Sequence, residues 1–332
     1  MRICIYGAGA MGIVLGAFLN KAGIPADLIT RDKPRVDALN RSGARVVGGA
    51  NFCVPVQAYT PGEMTGKYDV VILLTKQKGN AETARFLGGY LAADGALVCM
   101  QNGLPERVLA EQLGKDRIYG CVLSWGATAE GKAVSRLTSD LSAMRGILGA
   151  YGGGRRAEEI GRVLSAAMKI SLTENLKEAR FAKLAINSSF STLSALTGMT
   201  FGEIARRRKT SKLAAELMKE VFSVAKAAGC TALPVQGHDL LRLLDYRSAA
   251  GKLRTRLLLP IAMKKHKNLV SGMLVALEQG RRCEIDEISG AVVREGKRLG
   301  VPVPVQERAV ALVHDIENGF AELSYDTVEL FD

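Results

Sequence analysis

Apolar and polar positions divide the chain into two parts with different periodicity. In residues 1–170, short apolar runs rich in β-branched residues alternate with segments whose apolar residues recur every three or four positions. The predicted strands are 2–6, 26–30, 70–75, 96–100 and 118–121, with further sheet at 44–58 and 133–148. The predicted helices are 11–22, 33–40, 80–91 and 106–113, followed by a short helix at 155–168. This alternation predicts a parallel sheet covered by helices on both faces.

Helical periodicity dominates the rest of the chain, where strand alternation is almost absent. Long helical segments separated by Gly and Pro are predicted at 174–196, 212–228, 237–246, 269–279, 284–299 and 305–318. We therefore predict two domains, an α/β domain over residues 1–170 and an all-α domain over residues 171–332.

A glycine-rich motif follows the first predicted strand and opens the first predicted helix. It consists of Gly7, Ala8, Gly9, Ala10, Met11 and Gly12. In this G-x-G-x-x-G pattern, the first glycine permits a tight turn, the second lets the backbone approach a pyrophosphate, and the third lets helix and strand pack closely. The unpaired N–H groups of the helix N-terminus then face the phosphates. The motif predicts a Rossmann-type dinucleotide-binding domain with these six residues at the cofactor.

The end of the second predicted strand indicates which dinucleotide binds. NAD enzymes usually place an acidic residue there, whereas this chain has Thr30 and Arg31, followed by Asp32. A guanidinium can bind a 2′-phosphate through two hydrogen bonds, so Arg31 favours NADPH over NADH. Asp32 could instead rotate inward and take the NAD role. Lys76, just after the next core strand, is a second candidate for the phosphate or ribose end, or else an exposed loop lysine.

Three further segments carry side chains suited to binding or catalysis. Asn102, within Gln-Asn-Gly, places an amide at the carboxyl end of the sheet, where open α/β folds bind ligands. Lys183, Asn187 and Ser191 follow in steps of four, which predicts one shared helix face. Glu284 lies at the start of another predicted helix. Taken singly, these segments would be interpreted as a turn, a solvent-facing polar surface and favourable helix-dipole chemistry.

Together and in this order, the segments resemble the ketopantoate reductase (2-dehydropantoate 2-reductase) family over nearly the whole chain. In the first domain the resemblance rests on the glycine motif, the Arg and Lys after the core strands, and Gln-Asn-Gly. In the second domain it rests on Lys-Leu-Ala-x-Asn from residue 183, Leu-Thr-Gly-x-x-x-Gly-Glu from residue 196, Glu-Ile-Asp-x-x-x-Gly from residue 284 and Gly-Val-Pro-Val-Pro from residue 300.

The resemblance implies a reductase that uses NADPH on a small 2-oxo acid, with Lys183 and Glu284 as catalytic residues. It also implies that Asn102 and Asn187 hold the substrate, with Asn102 at the cofactor as well. Hydride arriving at a ketone carbon makes an alkoxide, which a positioned ammonium stabilises and then protonates. A carboxylate beside the ammonium preserves its charge and can accept a hydrogen bond from the substrate's hydroxyl.

Three positions depart from the common pattern of the family. Ser191 stands where the family commonly has an asparagine, and Gly272 and Ala276 stand where it commonly has a serine and an aspartate. The resemblance therefore implies intact hydride chemistry and an altered substrate cradle. We predict that Ser191 and Ser271 contact the substrate. Either Ser271 supplies the missing hydroxyl from the neighbouring position, or ketopantoate is a poor substrate and another 2-oxo acid is preferred.

The charge and composition narrow the choice of partner. The formal net charge is +12, yet aromatic residues make up only 5% of the chain and no stacking motif accompanies the basic clusters at 206–209 and 264–267. This combination favours a small anionic ligand over nucleic acid. The chain has neither a CxxC pair nor a histidine at ligand spacing, so no metal site is predicted.

The apolar runs and the cysteines indicate the compartment. No run approaches the ~20 residues of a membrane helix, and the first residues leave no room for a signal peptide. The six cysteines are scattered and are expected to be free thiols. We expect a cytoplasmic protein without a membrane partner, and a homodimer is left open.

The first functional hypothesis is reduction of 2-dehydropantoate (ketopantoate) to pantoate, a step of pantothenate biosynthesis. One alternative is the same reaction on a different 2-oxo acid. Another, from a different functional class, is a sensor that binds NADP(H) without turnover. The presence of both Lys183 and Glu284 favours an enzyme over a sensor, and the scarcity of aromatic residues disfavours a nucleic-acid binder.

Overall fold

An eight-stranded sheet lies at the centre of the first of two compact units. The structure, a computed structural model, describes residues 1–235, 238–244 and 249–331. The first unit comprises Met1–Gln101 and Pro105–Leu176, and the second comprises Asn102–Leu104 and Lys177–Asp332.

The strands of the first unit form two sheets. In chain order they are β1 (Ile3–Tyr6), β2 (Ala26–Ile29), β3 (Ala44–Gly48), β4 (Phe52–Val54), β5 (Ala58–Tyr59), β6 (Tyr68–Leu73), β7 (Leu91–Cys99), β8 (Ile118–Leu123), β9 (Ala127–Ala129), β10 (Val134–Leu137), β11 (Arg145–Ala150) and β12 (Lys169–Leu172). The large sheet has the order β12-β11-β8-β7-β6-β1-β2-β5, and the small one has the order β4-β3-β10-β9. In the large sheet β11 and β8 pair antiparallel, whereas the other neighbouring strands pair parallel.

The register of the large sheet aligns the carboxyl ends of its central strands. Tyr6 pairs with both Ile29 and Leu73, and Leu73 in turn pairs with Cys99. The loops after β1, β2, β6 and β7 therefore begin at the same edge of the sheet. These are the loops that carry the cofactor candidates of the sequence, at the edge where open α/β sheets bind ligands.

The helices of the first unit pack against these sheets. They are α1 (Ala10–Lys21), α2 (Lys33–Ser42), α3 (Asn80–Gly88), α4 (Glu106–Leu113) and α5 (Ala157–Leu164). Buried Ile13 of α1 shares one core with Ile5 of the large sheet and Val46 of the small sheet, so α1 is covered by both. The predicted α/β fold of this part is confirmed.

The second unit is built from helices around its own core. Its helices are α6 (Leu176–Ile186), α7 (Thr192–Thr197), α8 (Phe201–Arg206), α9 (Arg208–Ala227), α10 (Leu240–Leu244), α11 (Ala249–Ala262), α12 (Gly272–Glu278), α13 (Ser289–Leu299) and α14 (Pro304–Glu317). A two-stranded ribbon, β13 (Pro234–Val235) with β14 (His238–Asp239), is the exception to the all-α prediction. Among the helices in the described ranges, none is both long and apolar enough to cross a bilayer.

The helix predicted at 174–196 is interrupted by a π-helical turn, Asn187–Ser191, between α6 and α7. Ser189 lies within this turn, and its Oγ donates to the carbonyl oxygens of Ala185 at 2.6 Å and Ile186 at 3.1 Å. A serine hydroxyl that bonds to the preceding turn competes with the backbone ladder and bends helices. Periodicity read along the sequence does not detect such a local change of pitch.

Other element boundaries also differ from the predictions. The helix predicted at 284–299 begins only at Ser289, and the helix predicted at 80–91 stops at Gly88 because β7 begins at Leu91. Of the helix predicted at 237–246, residues 237, 245 and 246 lie outside the described residues, and the rest forms β14 and α10. The sequence did not predict α11, because Pro260 near its end normally argues against a helix interior.

Candidate active site

The glycine-rich loop after β1 requires glycine at two of its three motif positions. Gly7 has φ +116°, and a Cβ there would lie 2.6 Å from the backbone of Leu74. A Cβ on Gly12 would lie 2.3 Å from the carbonyl oxygen of Gly7. A Cβ on Gly9, by contrast, would meet no atom of the described residues within 4 Å. Packing does not explain the middle glycine, and its backbone is open to the approach of a ligand.

Helix α1 begins directly beyond this loop. The N–H groups of Gly7 and Ala8 both donate to the carbonyl of Ile29 at 2.9 Å, which fixes the loop to the end of β2. The described first turn of α1 has no side-chain cap and no acidic residue. An uncapped N-terminus with its partial positive charge attracts phosphate groups, so the loop and helix fit a dinucleotide.

The acidic residue of the loop after β2, Asp32, is held by contacts within the first unit. Asp32 caps α2, accepting from the Arg35 N–H at 3.3 Å, and its other oxygen lies 2.8 Å from Lys132 Nζ. The hydrogen bond from Lys132 holds the pKa of the Asp32 carboxyl below its usual range. Arg31 is exposed and has no ion-pair or hydrogen-bond partner within the described part of the chain. The sequence could not reveal Lys132, which comes from a loop 100 residues away.

The two amide side chains in the turn after β7 differ in burial and in their partners. Gln101 is buried and its side chain pairs with that of Asn80. Asn102 is half-buried, and its Nδ2 donates to Glu284 Oε2 at 3.1 Å within the second unit. The structure thus brings together Asn102 and Glu284, two of the predicted site residues, across 182 residues of sequence.

Glu284 lies in a turn and not in the first turn of a helix, which corrects the prediction of helix-dipole chemistry there. Contacts to α14 hold this turn on both sides of Glu284. The N–H of Cys283 donates to Glu317 Oε1 at 2.8 Å, and His314 Nε2 lies 2.9 Å from Asp286 Oδ1. His314 Nδ1 is also 3.5 Å from Glu317, so one histidine joins the carboxylates that fasten the turn.

The sequence assigned no histidine to a site, because none lies at ligand spacing. No spacing signal links residue 314 to residues 283–286, because the contact depends on how α14 packs against the turn. Burial raises the pKa of the neighbouring Cys283 thiol to about 12, which leaves it un-ionised near neutral pH. Burial likewise raises the pKa of Glu287, and the nearby carboxylates of Glu284 and Asp286 add to the effect.

Lys183 is half-buried on α6, one turn before the π-helical turn. Asn187, also half-buried, opens the π-helical turn, and Ser191 ends it at 9% exposure. A π-helical turn closes i→i+5 hydrogen bonds, so its pitch differs from the regular α-helix that the step of four assumed. The shared face of Lys183, Asn187 and Ser191 stays a prediction, with this change of pitch between its last two members. Single π-helical turns are frequent at functional sites.

The Ser271 hydroxyl is buried and caps a helix. Ser271 is the N-cap of α12, 2% exposed, and its Oγ accepts from the Leu274 N–H at 3.0 Å. Its own N–H donates to Ser194 Oγ at 3.2 Å. Gly272 beside it is exposed, and a Cβ there would meet no described atom within 4 Å. Burial limits the access of a ligand to this hydroxyl, whereas capping uses only an acceptor position of Oγ and leaves its O–H able to donate. The substrate role of Ser271 stays a prediction.

The chain matches a known protein family over most of its length. The family model described as ketopantoate reductase PanE/ApbA matches residues 3–146, and its C-terminal counterpart matches residues 175–317. A 2-dehydropantoate 2-reductase of Mesorhizobium japonicum is 27% identical over 341 aligned positions, which cover 94% of this chain and 97% of that protein.

Solved structures share the fold over nearly the full chain. The 2-dehydropantoate 2-reductase from Geobacter metallireducens aligns with a TM-score of 0.79 at 26% identity, covering 95% of this chain and 99% of that one. D-mandelate dehydrogenase, solved with NADH and anilino(oxo)acetate, aligns with a TM-score of 0.80 at 21% identity, covering 96% and 99%. The second likeness concerns the fold alone.

Proposed function

Because the chain belongs to the ketopantoate reductase family of oxidoreductases, we propose that it reduces 2-dehydropantoate to pantoate with NADPH. The observation that carries the proposal is the hydrogen bond between Asn102 and Glu284. It joins the Gln-Asn-Gly turn to the Glu-Ile-Asp turn in the unit that also carries Lys183. These are the segments on which the resemblance places substrate binding and proton transfer.

Several residues of the first unit would hold the cofactor. The loop from Gly7 to Gly12 and the uncapped N-terminus of α1 suit its diphosphate, and Arg31 suits its 2′-phosphate. Lys76, which follows β6, would contact it as well, and so would Asn102, which belongs to the second unit. When bound, NADPH supplies the hydride. Engagement of Asp32 by Lys132 and by the α2 N-terminus supports NADPH, since an acid turned toward the ribose would repel a phosphate.

The proton for the reduced carbonyl would come from Lys183. As the ketone oxygen becomes an alkoxide, the ammonium stabilises the developing charge and then delivers its proton to that oxygen, giving the hydroxyl of the product. Glu284, oriented by Asn102, would accept a hydrogen bond from the substrate's own hydroxyl. Asn187 would orient the substrate from the start of the π-helical turn.

A second candidate substrate is a 2-oxo acid other than ketopantoate. Two observations favour it: Ser191 is nearly buried, and the hydroxyl of Ser271 is used as a helix cap while Gly272 offers none. A site with fewer groups for a carboxylate and a hydroxyl would suit a less polar 2-oxo acid. D-mandelate dehydrogenase, which shares the fold, was solved with the oxo acid anilino(oxo)acetate.

The decisive assay follows NADPH oxidation by the pure protein with ketopantoate and with 2-oxo acids that lack its hydroxyl or carry an aryl group. The highest kcat/KM with ketopantoate is the expected result. A higher value for a hydroxyl-free or aryl 2-oxo acid would favour the second candidate. Cofactor binding without turnover of any 2-oxo acid would contradict both and support the sensor hypothesis.

Replacing Lys183 tests the proposed proton donor. We expect Lys183→Ala to lower kcat by about two to four powers of ten, the range for a positioned acid, while the Kd for NADPH stays near wild type. Lys177→Ala is the matched control, because Lys177 lies on the same helix and its Nζ donates only to the Ala228 carbonyl among described contacts. Wild-type turnover in a folded Lys183→Ala variant would remove the residue from the mechanism.

A further inference from the structure

Two buried amide side chains form a reciprocal pair at the carboxyl edge of the large sheet. Asn80 and Gln101 are each 6% exposed. Asn80 Nδ2 donates to Gln101 Oε1 at 2.9 Å, and Gln101 Nε2 donates back to Asn80 Oδ1 at 3.0 Å. Both amides are therefore satisfied by each other away from solvent, where a lost partner is costly.

The pair is part of a wider contact between three segments. Gln101 Nε2 also donates to the Thr75 carbonyl at 2.8 Å, and the Cys99 thiol donates to Gln101 Oε1 at 3.2 Å. The carbonyl of Thr75 can only accept, so it dictates which way the Gln101 amide faces. The network joins the loop after β6, the first residue of α3 and the turn after β7.

The residues on either side of this network are site candidates. Lys76 follows Thr75 directly, and Asn102 follows Gln101 directly. Anchoring Thr75 and Gln101 limits the backbone positions open to both neighbours. Small displacements of such groups can cost up to about a hundredfold in rate, even when the altered residue never touches the substrate.

We propose that Asn80 is a positioning residue of this site, acting through Gln101 to hold the backbone that presents Lys76 and Asn102. The inference rests on the proposed function in that it assigns these two residues to the cofactor and the 2-oxo acid. It adds a residue that neither the glycine motif nor the catalytic segments include. Asn80 itself touches no reacting group in this proposal.

The first test removes the amide. Asn80→Ala should raise the Kd for NADPH several-fold and lower kcat/KM for the 2-oxo acid roughly tenfold or more. Asn20→Ala is the matched control: it deletes an amide of the same unit, whose Nδ2 donates to the Gly16 carbonyl at 2.9 Å near the other end of α1. It should lose stability in urea without changing either constant. Equal effects of both variants on Kd and kcat/KM would overturn the proposal.

The second test keeps the shape of the side chain and works even if alanine prevents folding. In Asn80→Asp an ionised carboxylate would face Gln101 Oε1, whereas a protonated carboxyl can donate to it as the amide does. Burial raises the pKa of an introduced carboxyl, so protonation should be reached in mild acid. The ratio of variant to wild-type kcat/KM, and of their affinities for NADPH, should therefore rise toward one as the pH falls. A ratio that is independent of pH would contradict the proposal.

Cofactor binding separates this proposal from the proposed function. If ketopantoate is not the substrate, wild-type turnover fails but Asn80→Ala still weakens NADPH binding relative to Asn20→Ala. If the wild type is active and the Asn80 variants bind NADPH and turn over substrate as the control does, the positioning role alone is refuted.

Discussion

Arg31 is the residue on which the choice of cofactor depends. The cations around it are engaged: Lys33 lies 2.8 Å from Glu63, and Lys132 lies 2.8 Å from Asp32. Arg31 remains exposed at the end of β2 with no described ion-pair or hydrogen-bond partner, as a phosphate-binding guanidinium requires before its ligand arrives.

We therefore expect NADPH to bind at least about tenfold more tightly than NADH, equivalent to ~1.4 kcal/mol. Arg31→Ala should remove most of this preference. It should weaken the binding of NADPH and leave that of NADH unchanged, because NADH has no 2′-phosphate for Arg31 to contact. Titration of both cofactors into the pure protein measures it, with Arg41→Ala, an exposed arginine of α2, as the control. An unchanged ratio of the two affinities in Arg31→Ala would show that another group binds the phosphate.

Gly272 offers a direct test of the altered substrate cradle. A Cβ there meets no described atom within 4 Å, and Gly272 is the first residue of α12, so a serine fits without strain. If the missing hydroxyl limits binding, Gly272→Ser should lower the KM for ketopantoate about tenfold, the size of one hydrogen bond to a charged group.

The comparison for this substitution is Gly62→Ser, since Gly62 also has open space around its Cβ and lies in the other unit. It should leave the KM unchanged. A KM for ketopantoate that stays at the wild-type value in Gly272→Ser would mean that this position does not contact the substrate.

At the scale of elements, the caps and turns explain why some serines are structural. Ser271 caps α12, so Ser271→Ala should lower the free energy of unfolding by about 1 kcal/mol through the lost bond to the Leu274 N–H. The KM should change little. Urea unfolding and steady-state kinetics of the same variant measure both quantities.

Thr200→Ala calibrates that experiment, because Thr200 caps α8 in the same unit and accepts from the Glu203 N–H at 3.3 Å. Both variants should lose comparable stability. A strongly raised KM in Ser271→Ala at wild-type stability would instead restore the substrate role that the sequence predicted for it.

At the scale of the whole molecule, the net charge of +12 raises the question of polyanions. Part of the cluster at 206–209 is used internally: Arg207 lies over the Tyr325 ring at 5.0 Å, and Lys209 pairs with Glu329. We expect the protein to elute from immobilised DNA at or below about 0.15 M salt, with NADPH binding unaffected by added DNA. Retention at salt concentrations well above about 0.15 M would contradict the interpretation that the positive charge serves no nucleic acid.

The sequence alone determined the features that depend on neighbours along the chain. Alternating periodicity was enough to predict the α/β part and the helical part, and ordered motifs were enough to indicate the family and its enzyme class. The glycine motif could be read because strand, turn and helix are contiguous. Gly7 and Gly12 indeed occupy positions where a Cβ would collide with backbone.

Tertiary structure decided the contacts between distant segments. Three contacts join segments that no periodicity relates: Asn102 with Glu284, His314 with the Glu284 turn, and Lys132 with Asp32. The same holds for Ser271, because its burial and its bond from the Leu274 N–H are not evident from the sequence. The type of a residue determines which hydrogen bonds its side chain can form. Packing determines which partner it has, because a hydrogen bond forms only where the folded chain brings donor and acceptor within about 3 Å.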